Sequence, residues 1–432
     1  MVRQPSAPRR LLSAANRVRL PKPLEQHLFK HRLFSRRKKA KPPSRLSGAI
    51  RVALLAATGF ASALLLWELI LRFAVEASQG IEDHPALGKI DSPGEMLHTR
   101  EGFNRMQLNS LGMRGPEPTP KQPGEYRILL LGDSFTRADE VSDGIGFSDR
   151  LQAHFTAEYQ KSNHLQSAAA GPILMTSAQN RQVTEKVSVI NAGKPSASPA
   201  GYLYAADFHR QTFAPDATVI QLTEHDFTLD MGNEYSEFYL EKKGNSDYEI
   251  KHNKEFGSTD PLAQKVIDKM PELRSLFTLS SLRIGGRNLS AALSSADETE
   301  AEPTLSVAEA AEIQAEDAAM IDWTLQQLNQ TFPNVVIVFI PAMNYQDAGP
   351  ISSIPRNAAI EKRLTEASTA QGIPLINMRE DFRKHYAEVG THLKGFSNTI
   401  PGEGHLNHRG HQLVARRLIN FFNQPNSPLR QS

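Results

Sequence analysis

Five short apolar runs, widely spaced and free of polar alternation, constrain this chain more than any other feature: Arg127 to Leu131, Val187 to Asn191, Ala217 to Leu222, Val335 to Ile340, and a shorter one at Pro374 to Asn377. A strand with one wet face alternates apolar and polar residues, whereas a strand covered on both faces does not. The stretches between the runs are long enough for crossover helices, so the pattern predicts a parallel sheet sandwiched by helices. In such a sheet ligands sit beyond the carboxyl ends of the strands. The first run, within YRILLLGDSFT, stops at Gly132, Asp133 and Ser134. Ser134 is therefore expected to cap a helix, to act as a nucleophile, or to do both.

Three more strand ends carry polar groups. The second run closes in VINAGKPS, with Gly193 in the turn; the third closes in VIQLTEHDFT, with His225 and Asp226; and PGEGHLNHRGHQLVARRL near the C-terminus carries His405. A serine hydroxyl is a poor nucleophile near neutral pH and needs a base within hydrogen-bond reach. His405, 271 positions after Ser134, is the candidate.

This order of Gly-Asp-Ser, turn glycine, polar pair and late histidine resembles the SGNH (GDSL-type) hydrolase superfamily over residues 126 to about 223 and 335 to 423. NSLGMRGPE is similar to the lead-in of its membrane-tethered bacterial members. The resemblance implies a three-layer α/β/α sandwich with a central parallel sheet of the flavodoxin-like kind, and acyl-ester chemistry through a covalent acyl-serine without a cofactor. It makes Ser134 the nucleophile and His405 the base, with the backbone N–H groups of Ser134 and Gly193 in the oxyanion hole.

Two positions depart from the family pattern. Aligning LTEHDF on the usual Gly-x-Asn-Asp leaves His225 where an asparagine would complete the oxyanion hole. An imidazole N–H can also donate; the alternative is a histidine that only packs in the turn. Relatives commonly show Asp-x-x-His, but the residue three before His405 is Gly402. Glu403, the nearest carboxylate, is expected to orient the base, the alternative being a solvated glutamate with a backbone carbonyl orienting the ring. Asp133 is expected to anchor the nucleophile loop, and Asn407 to cap a final helix. His405, His408 and His411 lack a nearby set of carboxylates, so no metal site is expected there.

Charge divides the chain. In residues 1–48, fourteen Lys and Arg against the single Glu25 make +13, leaving −11 for the remainder of a chain whose formal net charge is +2. The explanation lies in VALLAATGFASALLLWELILRFAV, where Val52 to Trp67 is uncharged and apolar character continues past Glu68, about the length that crosses a bilayer ~30 Å thick. Arg36, Arg37, Lys38, Lys39, Lys41 and Arg51 precede it and Glu76, Glu82 and Asp83 follow, which places the N-terminus in the cytoplasm and the main domain outside. The expected organisation is a basic, disordered tail over 1–48, a transmembrane helix over 49–75, a tether and lead-in over 76–125, and the SGNH-like domain over 126–425 with an insertion at about 231–305.

Within that insertion a helix is expected at Pro261 to Phe277, and residues 231–290 are expected to form a lid or acceptor-binding wall. A further helix, Ser306 to Phe332, leads into the fourth strand. The basic tail lacks interleaved aromatics or a binding motif, so a nucleic-acid partner is not expected. An acylated glycan or other envelope ester is the expected substrate, membrane contact runs through the one N-terminal helix, and hydrolysis, acetyl transfer and a non-catalytic binding role all remain open.

Overall fold

The computed structural model describes residues 45–74, 80–98, 101–169, 186–227, 236–244, 247–254, 256, 307–343, 355–399 and 401–431. Residues 1–44 of the basic tail and the helix expected at Pro261 to Phe277 lie outside these residues. The chain divides into two compact units, Met1–Ala61 and Ser62–Ser432. Helix α1 (Arg45–Ala74) crosses that division and carries Gly48–Leu69, a stretch of mean hydropathy 1.9 that is long and apolar enough to span a membrane.

The stretch expected as tether and lead-in forms two short antiparallel hairpins, β1 (Ile81–His84) with β2 (Gly88–Asp91) and β3 (Gly94–His98) with β4 (Asn104–Leu108). Next come β5 (Glu125–Leu131), α2 (Ser134–Arg137), α3 (Phe147–Ala169), β6 (Lys186–Asn191), α4 (Pro199–Tyr204), α5 (Ala206–Phe213) and β7 (Ala217–Leu222). The hairpin β8 (Phe238–Lys242) and β9 (Tyr248–His252) falls in the expected insertion. Helix α6 (Val307–Thr331), β10 (Val335–Phe339), α7 (Pro355–Ala370), β11 (Leu375–Asn377), α8 (Arg379–Val389), α9 (His408–Phe422) and α10 (Pro428–Gln431) complete the fold.

All five apolar runs are strands of one parallel sheet in the order β11-β10-β7-β5-β6. Leu129 lies opposite Ile190 and Thr218, and Ile337 opposite Ile220 and Leu375. Every residue of β5, β7 and β10 is buried, which is why these strands read as unbroken apolar runs. Side chains alternate between two cores. Leu129, Leu131, Ile220, Ile337 and Phe339 pack with Phe213, Ile321, Leu325 and Leu364 on one face; Ile128, Leu130, Val219, Val336 and Val338 pack with Phe147, Leu151, Phe382, Val414 and Leu418 on the other. The result is a three-layer α/β/α sandwich. Numbered within the sheet, its order is 2-1-3-4-5, the doubly wound arrangement whose switch point lies beside the first strand. That strand is β5, and the chain leaving its carboxyl end is Gly132-Asp133-Ser134.

Candidate active site

The turn after β5 can be made only with glycine at 132: a Cβ there would come within 2.6 Å of Gln221 Oε1 and 2.8 Å of Thr136 Cβ. Gln221 Oε1 accepts from the Asp133 N–H at 3.2 Å and from the Thr136 hydroxyl at 3.1 Å, fixing the turn to β7. Asp133, not Ser134, is the helix cap; its carboxylate accepts the Phe135 N–H at 2.8 Å. The Ser134 hydroxyl is thereby left for another partner, and it lies 2.7 Å from His405 Nε2.

His405 rides on a stitched loop. The Gly395 N–H donates to the His405 carbonyl at 2.9 Å, and the Asn407 N–H to the Leu393 carbonyl at 3.0 Å. Asn407 caps α9, its Oδ1 accepting the Arg409 and Gly410 N–H groups at 3.0 and 3.3 Å, while its Nδ2 donates to the His392 carbonyl at 3.0 Å. The helix therefore starts at a set place and holds the imidazole over the serine.

The carboxylates nearest the His405 ring are not the one expected from the sequence. Glu403 lines the cavity but is exposed. The carboxylates at His405 Nδ1 are Glu101 Oε1 at 3.0 Å and Glu140 Oε1 at 3.3 Å. Glu101 also accepts the His405 backbone N–H through Oε2 at 2.8 Å. Two glycines with positive φ, Gly402 (92°) and Gly404 (72°), flank Glu403 and shape the loop for Glu101: a Cβ at Gly404 would stand 2.7 Å from Glu101 Oε1. Neither Nδ1 contact has the geometry of a formed hydrogen bond.

Gly193 is also reassigned. Its N–H donates to Asn191 Oδ1 at 3.0 Å rather than standing free for an oxyanion. Its missing side chain is what the fold uses, since a Cβ would fall 2.8 Å from the Thr136 carbonyl carbon and against the Arg137 nitrogen. Glycine here lets the chain leaving β6 approach the helix that begins at Ser134. His225 and Asp226 sit in a short 3-10 turn (Glu224–Phe227) and both line the cavity. Asp226 Oδ2 accepts the Thr223 N–H at 2.7 Å and its hydroxyl at 3.1 Å. Of the remaining histidines, His408 opens α9 and His411 is a core residue stacked on Phe147, with burial pushing its pKa down to about 3.

The cavity holds about 490 Å³. Ser134 and His405 line it, and Phe238, Leu240, Met320, Ile340 and Met343 supply apolar wall. Phe238 belongs to the β8–β9 hairpin, which is tied down by Ser198 Oγ donating to the Phe238 carbonyl at 2.8 Å and by the Lys194–Glu237 pair at 2.6 Å. Lys394 enters the same space, 7% exposed, with Nζ donating to the Pro341 carbonyl at 3.1 Å and lying 4.8 Å from the centre of the Phe135 ring.

The electrostatics follow from burial. Burial alone would lower the His405 pKa, but the Glu101 contact and the charges of Glu140 and Glu101 hold it up at about 9. Burial raises Glu140 to about 7 against the pull of His405, with Asp139 and Glu101 adding like charge. Glu101 feels the same burial, yet its contact with His405 keeps it below the usual carboxylate range. Asp133 is partly exposed by area but surrounded by protein atoms, so burial pushes it up; Asp226 is pushed up further by burial and by Asp133. Burial brings Lys394 down to about 8, and burial together with the Lys394 charge lowers His225.

Glu101, Glu140 and Lys394 were missed by sequence reasoning. Glu101 stands in a stretch read as tether, and no spacing rule links it to a histidine 304 residues away. The traces that could have pointed to them are the acidic loop just after α2, Asp139-Glu140, and the glycine at 404.

No protein-family model matches this sequence, and no curated protein matches it. Solved structures similar to this chain include an acetyl xylan esterase (12% identity, covering 68% of this chain and 98% of that one, TM-score 0.33). Others are a lipase/acylhydrolase from Enterococcus faecalis (14%, 69% and 95%, TM-score 0.30) and a catalytic mutant of an acetylxylan esterase from Geobacillus stearothermophilus (10%, 68% and 93%, TM-score 0.30).

Proposed function

We propose that this chain is a serine-dependent acyl-ester hydrolase of the SGNH type, anchored by α1 in the cytoplasmic membrane and acting outside the cytoplasm on O-acylated, most simply O-acetylated, glycan. The observation that carries the reading is the 2.7 Å contact between Ser134 Oγ and His405 Nε2 across 271 residues of chain. Glu101 replaces Glu403 as the orienting acid.

In the neutral tautomer protonated at Nδ1, Nε2 accepts the Ser134 proton as Oγ bonds to the ester carbonyl carbon. In this reading the Ser134 N–H and a neutral His225 ring N–H, on two residues that line the cavity, serve as donors to the developing oxyanion, each such donor lowering the barrier by about 3 to 4 kcal/mol. The nearby Lys394 ammonium disfavours a second positive charge on His225 and so favours the neutral ring. Collapse breaks the ester C–O bond; the His405 imidazolium gives its proton to the leaving sugar oxygen, and the acyl group stays on Ser134. Water, deprotonated by His405, then attacks the acyl carbon, releasing the acid and restoring the hydroxyl.

The outward location is supported by the +13 charge of residues 1–48 and the span at Gly48–Leu69. The glycan assignment is supported by that location and by a cavity of about 490 Å³, within the ordinary range for small-molecule sites. The test is acetate release from an acetylated polysaccharide by the full chain in detergent, with Ser134→Ala as control. Release by the wild type alone is expected. A wild type no faster than Ser134→Ala overturns the proposal, and acetate appearing only on an added sugar acceptor makes the enzyme a transferase.

A further inference from the structure

Two carboxylates stand where one would suffice. The first, Glu101, comes from the segment between β3 and β4, accepts the backbone N–H of His405 and lies 3.0 Å from its Nδ1. The second, Glu140, comes from the loop after α2, and its side chain is 2% exposed. Its Oε1 lies 3.3 Å from His405 Nδ1, and its Oε2 is buried without a hydrogen-bond partner. A carboxylate removed from water and left half-satisfied costs folding free energy, so packing alone gives no reason to keep it there.

The loop is built to hold Glu140 in place. Arg114, buried, donates to the carbonyls of Ala138 and, at 2.9 Å, of Val141, on either side of it. Arg137 pairs with Asp139 and Asp91, and Asn104 Nδ2 donates to the Asp139 carbonyl at 3.0 Å. Ala138 turns the chain at φ 61°. The charged or titratable groups facing Glu140 are His405, Glu101, Asp139 and His98, whose Nε2 is 3.9 Å away.

We propose that Glu140 is a second positioning carboxylate for His405, so that the imidazole of the proposed serine hydrolase is held in a clamp of two acids from separate parts of the chain. The ring N–H lies between two acceptors and can close on either as the imidazolium forms. The two acids repel one another, so the clamp carries one proton more readily than a lone acid would, and the burial that raises Glu140 places that proton on it.

The inference rests on the serine–histidine reading for its catalytic meaning, so its test includes a readout that needs no turnover. In the full wild-type chain, with labelled histidine followed by NMR, the His405 ring should titrate in two steps, one near 7 reporting Glu140 and one near 9. In E140Q the lower step vanishes and the upper one falls. A single-step wild-type titration, or an unmoved one in folded E140Q, overturns the clamp whether or not the protein turns over ester. In kinetics, E140Q should lose about 10-fold in kcat with KM unchanged, and E101Q/E140Q should approach the ~10⁴-fold loss of a serine triad without its acid. A double variant no slower than E101Q also overturns it. An inert wild type that still titrates in two steps rejects the hydrolase and keeps the clamp.

Discussion

Replacing Glu101 by Gln probes the base and its acid together. Holding the imidazole at about 9 against an ordinary 6.5 amounts to about 3 kcal/mol of differential stabilisation at 1.36 kcal/mol per pH unit. Glu101 at 3.0 Å and Glu140 at 3.3 Å supply most of it, with the charge of Asp133 adding to them. Gln keeps an oxygen for the His405 backbone N–H but loses the charge at Nδ1. Removing the acid from a serine triad costs about 10⁴ in kcat; with Glu140 still in place the expected loss is about 10². Activity requires the neutral base, so kcat/KM rises with pH through the His405 titration, and its acid limb reports the free enzyme. In E101Q that limb should fall by about one pH unit. The stability sign agrees: a raised histidine pKa stabilises the fold fully below about 6.5 and loses that contribution as pH rises through about 9. Denaturant unfolding should therefore show wild type weakening between pH 6 and 9.5 more than E101Q does. Hydrolysis of p-nitrophenyl acetate from pH 5 to 10 reads the kinetics. A kcat within threefold of wild type with an unmoved limb refutes this placement of Glu101.

Gly404→Ala puts a methyl group against the Glu101 carboxylate at a residue with φ 72°; it should mimic E101Q in rate and pH profile while costing about 1 kcal/mol or more of stability, read by thermal unfolding. His225→Phe removes the proposed side-chain oxyanion donor and should lower kcat by about 10² to 10³ with KM little changed, checked by steady-state kinetics at the pH optimum.

Much of the fold could be read from the chain because its signals are local. The five strands lack alternation since helices cover both faces of the sheet, and Asn407 announces its helix by being a good cap. The pairing of Ser134 with His405 was legible for the same reason: each ends or begins a patterned element. What stayed hidden depends on tertiary approach. Glu101 reaches His405 through a hairpin segment whose glycines and short strands read as irregular lead-in, and Glu140 gains its meaning only from a loop pinned by two arginines. The Gly193 amide looked available because a sequence does not show that the Asn191 side chain folds back onto it.

The most direct measurement is peptide mapping by mass spectrometry after treating the full chain with a fluorophosphonate. One phosphonyl adduct per chain, on Ser134 and lost in His405→Ala, is the expected result. An unmodified chain, or an adduct on any other residue, contradicts the central claim that this hydroxyl is activated by that imidazole.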